Sequence, residues 1–321
     1  MNAMGESRVI EVIGASIGLG GRCTDTAGGP RAIREAGLLA RLSTRGPTGD
    51  TARGSDGPAA HARTVRDLGD LVAADAPRLA GRDPGAALIA EVERFSLALR
   101  ASVEASLARG ALPCVLGGDH SLGAATQAAI GRAARGAGRE PPGLLWIDAH
   151  TDANTMESTP SGNLHGMMLA AVHGLEVPAF RAVVEGGLRD PRRTVYLGAR
   201  DIDEEEREIV ERLGCRVIAP AEIRARGADA VVAEALAIAG GADGRVSVSF
   251  DLDSLDPSIA PGVDCHVPDG LLWEEAAPLL RLVGRHDGVV AIEVVEVNPV
   301  ADPDGRTARL AVEAAALLAG A

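Results

Sequence analysis

Three short stretches of the chain concentrate carboxylate and imidazole side chains. They are Gly117-Gly118-Asp119-His120-Ser121, Asp148-Ala149-His150-Thr151-Asp152 and Asp251-Leu252-Asp253-Ser254-Leu255-Asp256-Pro257. In extended chain, residues i, i+2 and i+4 face one way. That rule predicts Asp148, His150 and Asp152 on one face, and Asp251 beside Asp253. Carboxylates crowded together repel and do not all stay ionised without a counter-charge. A solvated charge run explains one such cluster; three, each capping an apolar run, call for a cation. His120, Asp148, His150, Asp152, Asp251 and Asp253 offer two imidazoles and four carboxylates, a charge that matches two divalent ions. Carboxylate-rich ligation without thiolate favours a hard ion, Mn²⁺ first, with Co²⁺ and Fe²⁺ compatible. Two such ions about 3.5–4 Å apart bridge a water and lower its pKa toward neutrality, which is hydrolytic chemistry.

The elements that must position these groups are legible as alternating apolar runs and helical stretches. Apolar runs at Arg8–Gly14, Leu112–Gly117, Leu144–His150, Thr194–Gly198, Arg216–Ile218, Arg245–Asp253 and Val289–Val297 predict strands buried on both faces. Helices are predicted at Pro30–Leu42, Leu122–Arg135, Ala221–Ala239, Trp273–Arg285 and Thr307–Leu318. Another opens at Glu204-Glu205-Glu206, acids suited to the positive end of a helix dipole. A long helix runs from Asp83-Pro84, with Asp83 as N-cap, to Gly110. The alternation predicts one doubly wound α/β domain over residues 1–321. The Gly-, Pro- and polar-rich stretch Ser43–Arg63 predicts an exposed flexible loop, about residues 43–65. In such a sheet, ligands bind beyond the carboxyl ends of the strands, where the three clusters lie.

Composition excludes several other functions. The 321 residues carry a net charge of −13 and only six aromatic side chains. This argues against nucleic-acid and anionic-membrane partners. All 32 basic residues are arginine, so there is no lysine for a Schiff base or a phosphate-binding loop. Gly18 and Gly20 lack the third glycine of a dinucleotide fingerprint, because position 23 is Cys23. Gly14–Pro30 is read instead as lining the mouth of the site. Cys23, Cys114, Cys215 and Cys265 show no paired spacing and read as reduced thiols of a cytoplasmic protein. Neither a signal peptide nor a long uncharged apolar run is evident.

Gly-Gly-Asp-His-Ser, Asp-Ala-His-Thr-Asp and Ser249–Pro257, in this order, resemble the three signatures of the ureohydrolase family of arginases and agmatinases. The resemblance runs from the first strand to the C-terminal helix and is closest to arginases. It implies a three-layer αβα sandwich around an eight-stranded, mostly parallel sheet. It also implies a di-manganese site and hydrolysis of a guanidino or amidino carbon. By the family pattern His120 serves one ion and His150 the other, with Asp148 and Asp251 bridging. Family members are usually homotrimers or homohexamers.

The segment Asp152–Gly166 resembles the arginase substrate loop, with Asn154, Ser161 and Asn163 placed to bind an α-carboxylate and His165 as the proton-transfer histidine. A pKa near neutrality would let His165 protonate the leaving amine. Asp203 and Glu206 match positions used toward the α-ammonium, although acids at a helix start are also ordinary capping. Glu296 matches a guanidinium-binding glutamate, which a carboxylate can hold bidentately; the alternative is a buried acid paired with an arginine. His61, His173 and His286 lie outside these motifs and read as structural.

The resemblance breaks at Cys265-His266, which stand where the family has threonine and proline. That threonine lies near the guanidinium end of the substrate. Two readings follow: a drifted turn in an enzyme cleaving L-arginine to L-ornithine and urea, or an altered substrate. Candidates are N-hydroxy-L-arginine, another guanidino acid, agmatine or, since Ala260–Val263 resembles formimidoylglutamases, formimidoylglutamate. A Cys–His nucleophile and a non-catalytic family member are more remote; the complete ligand set argues against both.

Overall fold

The apolar runs form the strands they predict, with one addition. The computed structural model describes residues 8–44, 63–77 and 82–320. Its strands are β1 (Ile10–Ser16), β2 (Val65–Val72), β3 (Leu112–Gly117), β4 (Gly143–Ile147), β5 (Thr194–Leu197), β6 (Arg216–Ile218), β7 (Val246–Asp251) and β8 (Val289–Val295). They make one eight-stranded sheet in the order β2-β1-β3-β8-β7-β4-β5-β6. Every pairing is parallel.

Helices cover both faces because the strands are apolar on both. In β1, Ile10 and Val12 join one core while Ile13 and Ala15 join the other. In β4, Leu145 and Ile147 face the first core, Leu144 and Trp146 the second. The first core is closed by helices including 228–240, 273–284 and 306–318, the second by 86–108 and 123–136. This period-two alternation is the expected geometry of a strand sandwiched between helical layers.

The structure corrects four local readings. The added strand, β2, is an edge strand whose side chains are mostly exposed. Charged residues interrupt its apolar pattern, and two of them, Asp67 and Asp70, hold the Arg34 guanidinium. The single helix predicted at Pro30–Leu42 is two, Gly29–Glu35 and Leu38–Ser43, because Gly37 turns left-handed at φ 101°. Likewise Ala221–Ala239 divides into Pro220–Arg226 and Ala228–Gly240 at Gly227, φ 79°. The long helix begins at Ala86 with Gly85 as its cap; Asp83 instead accepts the Gly85 N–H at 2.8 Å. Most of the predicted 43–65 loop, His61 included, lies outside the described residues. Among the described residues no helix is long and apolar enough to cross a membrane.

The topology brings the chemistry together. β3, β8, β7 and β4 are neighbours in the sheet although distant in sequence. Their carboxyl ends deliver His120, Glu296, Asp251 with Asp253, and Asp148 with His150 and Asp152.

Candidate active site

At three of these four strand ends an aspartate turns back on its own chain. Asp119 accepts the N–H of Ser121 at 2.9 Å, Asp148 that of His150 at 2.7 Å, and Asp251 that of Asp253 at 2.8 Å. These Asx turns bend the chain off the strand, so the extended-chain argument for Asp148, His150 and Asp152 does not hold. β4 ends at Ile147, and Asp152 sits at φ +51°. The side chains still converge, through bends rather than pleat.

Two groups result. His120, Asp148 and Asp251 bring ligand atoms within 4.8 Å of one another, as do Asp148, His150 and Asp253. Asp148 is common to both. The His120 Nδ1 lies 3.1 Å from Asp148, 3.2 Å from Asp152 and 3.0 Å from Asp251. Yet Nδ1, Asp148 Oδ2 and Asp152 Oδ2 are buried without a hydrogen-bond partner. Buried polar atoms normally find partners, so orphaned lone pairs converging on one point fit a cation.

The protonation states carry the same strain. Burial, then the charge of Asp148, pushes Asp152 up to about 6. Burial and the charges of Asp253 and Asp148 raise Asp251 well above the carboxylate range. Burial would raise Asp148 too, but the neighbouring imidazoles of His120 and His150 hold it low. The protein's own groups share out too few positive charges among too many acids.

Behind His120 lies a support that the motifs did not single out. Its Nε2 is 2.8 Å from Ser249 Oγ, which donates at 2.8 Å to Glu293. With the hydroxyl hydrogen on Glu293, the imidazole donates from Nε2 and leaves Nδ1 free to ligate. Trp146 stacks on the ring at 4.1 Å and 5°. Buried polar residues within strands, Ser249 in β7 and Glu293 in β8, were the available signal.

Above the floor lies a cavity of about 440 Å³. The predicted residues Asn154, Ser161, Asn163, His165, Asp203, Glu206, Cys265 and Glu296 all line it. Glu296, at φ +67°, is buried. It partners no arginine among the described residues; its Oε1 accepts the His120 N–H at 2.8 Å and meets His165 Nδ1 at 2.9 Å. Its Oε2 is buried and unpartnered. Burial alone would lower His165, but the hydrogen bond to Glu296 and that residue's charge hold it at about 9, above the expected neutrality.

Asp203 precedes helix 204–213 without capping it and accepts from Asn154 Nδ2 at 3.1 Å. Glu206 is buried, accepts the Ala153 N–H at 2.8 Å, and is pushed by burial up to about 7. Glu206 is therefore no solvated helix-start acid, whereas Asp203 is exposed at the helix start. Of the divergent pair, Cys265 lines the cavity, whereas His266 is exposed, its Nε2 2.8 Å from the Pro261 carbonyl. Burial pushes the Cys265 thiol up to about 12, which leaves it a poor nucleophile. All four cysteines are free of disulfides.

The model of the arginase family matches residues 9–320. An arginase of Bacillus caldovelox is 34% identical over 309 residues, covering 94% of this chain and 95% of its own. The crystal structure of an arginase from Bacillus cereus superposes with a TM-score of 0.83 at 32% identity, covering 98% of this chain and 99% of that one. A hypothetical agmatinase from Burkholderia thailandensis gives a TM-score of 0.72 at 27% identity, covering 97% and 84%.

Proposed function

As this chain belongs to the arginase family and is an arginase-type amidinohydrolase, we propose that it cleaves L-arginine to L-ornithine and urea in a site holding two Mn²⁺ ions. One observation carries the reading. A His/Asp floor with orphaned ligand atoms shares its cavity with the unpartnered carboxylate oxygen of Glu296. The first fits divalent cations, the second a guanidinium.

His120, Asp148, His150, Asp152, Asp251 and Asp253 would hold the ions. When bound, the pair supplies Lewis acidity and a water of pKa lowered to about 7. The protein's own residues do the rest. Glu296 keeps Oε1 on His165 and the His120 N–H, and offers Oε2 to the guanidinium, orienting the planar group. Asp203 and Glu206 face the α-ammonium; Asn154, Ser161 and Asn163 face the α-carboxylate. His165, held protonated by Glu296, donates its proton to the leaving amine. Water adds to the guanidinium carbon, the bond from that carbon to Nε breaks, and Nε leaves as the amine, its protons supplied by His165 and by the added water, which becomes the urea oxygen.

The position of Cys265 in the cavity favours a second reading. With a thiol where the family has threonine, the guanidino end could differ, as in N-hydroxy-L-arginine, or the substrate could be another guanidino or amidino compound. Urea release from Mn²⁺-loaded protein, assayed side by side with L-arginine, agmatine, guanidinobutyrate and N-hydroxy-L-arginine, decides. Highest kcat/KM on L-arginine is expected; poor arginine turnover beside a better compound replaces the substrate and keeps the chemistry. Three companion readings stand beside it: one domain over 1–321 from the strand–helix alternation, a cytoplasmic location from the unpaired cysteines, and assembly as a homotrimer or homohexamer from the family resemblance. Light scattering of the purified protein checks the assembly.

A further inference from the structure

The cavity is strongly acidic. Seven carboxylates line it, from Asp152 and Glu296 below to Asp201 and Asp203 above. Among the described lining residues, one side chain carries a fixed positive charge: Arg22, in the loop after β1.

The backbone around Arg22 is pinned. Two residues before it, the Gly20 N–H donates to Asp119 at 2.9 Å, and the Gly20 carbonyl accepts the His165 N–H at 3.1 Å. One residue after it, the Cys23 N–H and thiol both meet Asp264, at 3.3 and 3.0 Å. Any side chain at Gly20 would strike Ser121, its Cβ falling 2.5 Å from that residue's own. The loop therefore sits at a fixed height against the His165 segment that also bears Ser161 and Asn163.

The Arg22 side chain itself is exposed, with no hydrogen bond or ion pair to any described residue. The contrast with Arg200 is sharp. That guanidinium, near the same strand ends, is consumed by carbonyls of Asp253, Val267 and Pro268 at 3.0, 2.6 and 2.9 Å. Arg22 shares the cavity lining with seven acids yet pairs with none of them, so its planar donor fork stays open to an incoming anion.

We infer that Arg22 is a specificity-determining residue that recognises the substrate's carboxylate, making this site one for guanidino acids rather than guanidino amines. The inference rests on the proposed guanidino hydrolysis. It adds charge recognition to the neutral donors Asn154, Ser161 and Asn163. A substrate cationic at one end and anionic at the other then matches the cavity lengthwise, acid below and guanidinium at the rim.

The test uses full-length, Mn²⁺-loaded protein with Arg22→Gln and Arg22→Lys. L-arginine is compared with L-argininamide, which replaces the carboxylate by a carboxamide at the same length. Arg22→Gln is expected to raise KM for L-arginine about tenfold, the loss of one charge-assisted contact. The effect on kcat should be smaller, argininamide should change far less, and Arg22→Lys should recover most of the loss. Equal changes for both substrates, or none for arginine, overturn the inference. Calorimetry provides an arm independent of turnover: wild type is expected to bind L-ornithine more tightly than L-ornithinamide, and Arg22→Gln to lose that preference. No preference in wild type, or no binding of either at millimolar concentration, overturns the inference. If no guanidino compound releases urea while the ornithine preference still depends on Arg22, the proposed reaction fails and the carboxylate site stands.

Discussion

The floor of the cavity and its rim are built by different means. Floor groups stand on four neighbouring strand ends, and Asp119, Asp148 and Asp251 each turn back onto a backbone N–H two residues on. Apart from the half-buried His150 they are buried, and spare lone pairs of His120, Asp148 and Asp152 point at one another. Rim groups stand on loops. Arg22 and Ser161 are exposed, Cys265 is partly so, and the rim is held by contacts between side chains such as Asn154 with Asp203. Every floor position is over-determined by backbone and by a shared electrostatic demand, so one substitution disturbs all of it. Rim positions are determined one contact at a time. Substrate identity can therefore drift at the rim while the chemistry below stays fixed, and Cys265, where the sequence reading puts the departure from the family pattern, lies on that side.

The comparison breaks most easily at its base. Asp253→Ala removes a carboxylate from the group that Asp148 and His150 complete. Metal content by atomic absorption and urea release should fall together. The loss should exceed the ~10–100-fold typical of groups that only orient a ligand. Full activity with stoichiometric metal in this variant would show that the floor is not a metal site. Asp152→Ala should behave alike.

Glu296 and His165 join floor to rim. His165→Asn keeps a polar side chain but removes the proton that Glu296 holds on the imidazole at about 9. A general acid is worth ~10²–10⁴-fold, and water can substitute in part, so kcat should fall about 100-fold while bound metal stays unchanged. Loss of metal instead would place His165 in the floor.

A gentler probe is pH. Burial raises Glu206 from 4.5 to about 7 in the free protein. Its raised pKa means the ionised form dominates only above about 7, and only that form attracts an α-ammonium. KM for L-arginine should therefore fall as pH rises from about 6 to 8, by up to about tenfold per unit below the pKa. Guanidinobutyrate, which lacks the α-ammonium, should not show this limb, and Glu206→Gln should flatten it for arginine. An identical profile for both compounds would remove Glu206 from the ammonium site.

How much of this was legible in sequence follows the same division. The floor was visible because crowded carboxylates and imidazoles point to a cation: His120, Asp148, His150, Asp152, Asp251 and Asp253 all stand at the ends of apolar runs. The way they meet was not visible. Period-two reasoning treats Asp148–Asp152 as pleated, whereas Asx turns and a left-handed Asp152 gather them. β2 escaped because an edge strand need not be apolar, and Arg66, Asp67 and Asp70 interrupt its pattern. Gly37 and Gly227 cut helices whose apolar periodicity continues past the break. At the rim, Asn154, Ser161 and Asn163 were found through their motif. Arg22 was not found, because a lone arginine in a glycine-rich loop has no spacing to betray it.

The smallest effect expected is the most informative about drift. Cys265→Thr restores the residue that the family carries at this position. Cys265 is partly buried, its thiol is held neutral at about 12, and no described side chain hydrogen-bonds to it. The swap exchanges sulfur for a hydroxyl and a methyl at nearly constant volume. A pocket discriminates weakly against a group that it merely accommodates. If the thiol only fills space, kcat/KM for L-arginine should change less than about threefold, and the ratio to N-hydroxy-L-arginine should hold. A site that hydrogen-bonds the substrate rejects a mismatch far more strongly. A rise of tenfold or more on arginine, paired with a fall on the N-hydroxylated compound, would mean that the thiol selects the guanidino end. Metal content should be unchanged in either case, since Cys265 belongs to neither ligand group. The two outcomes separate a rim that has drifted from a rim that has been retuned, over one and the same floor.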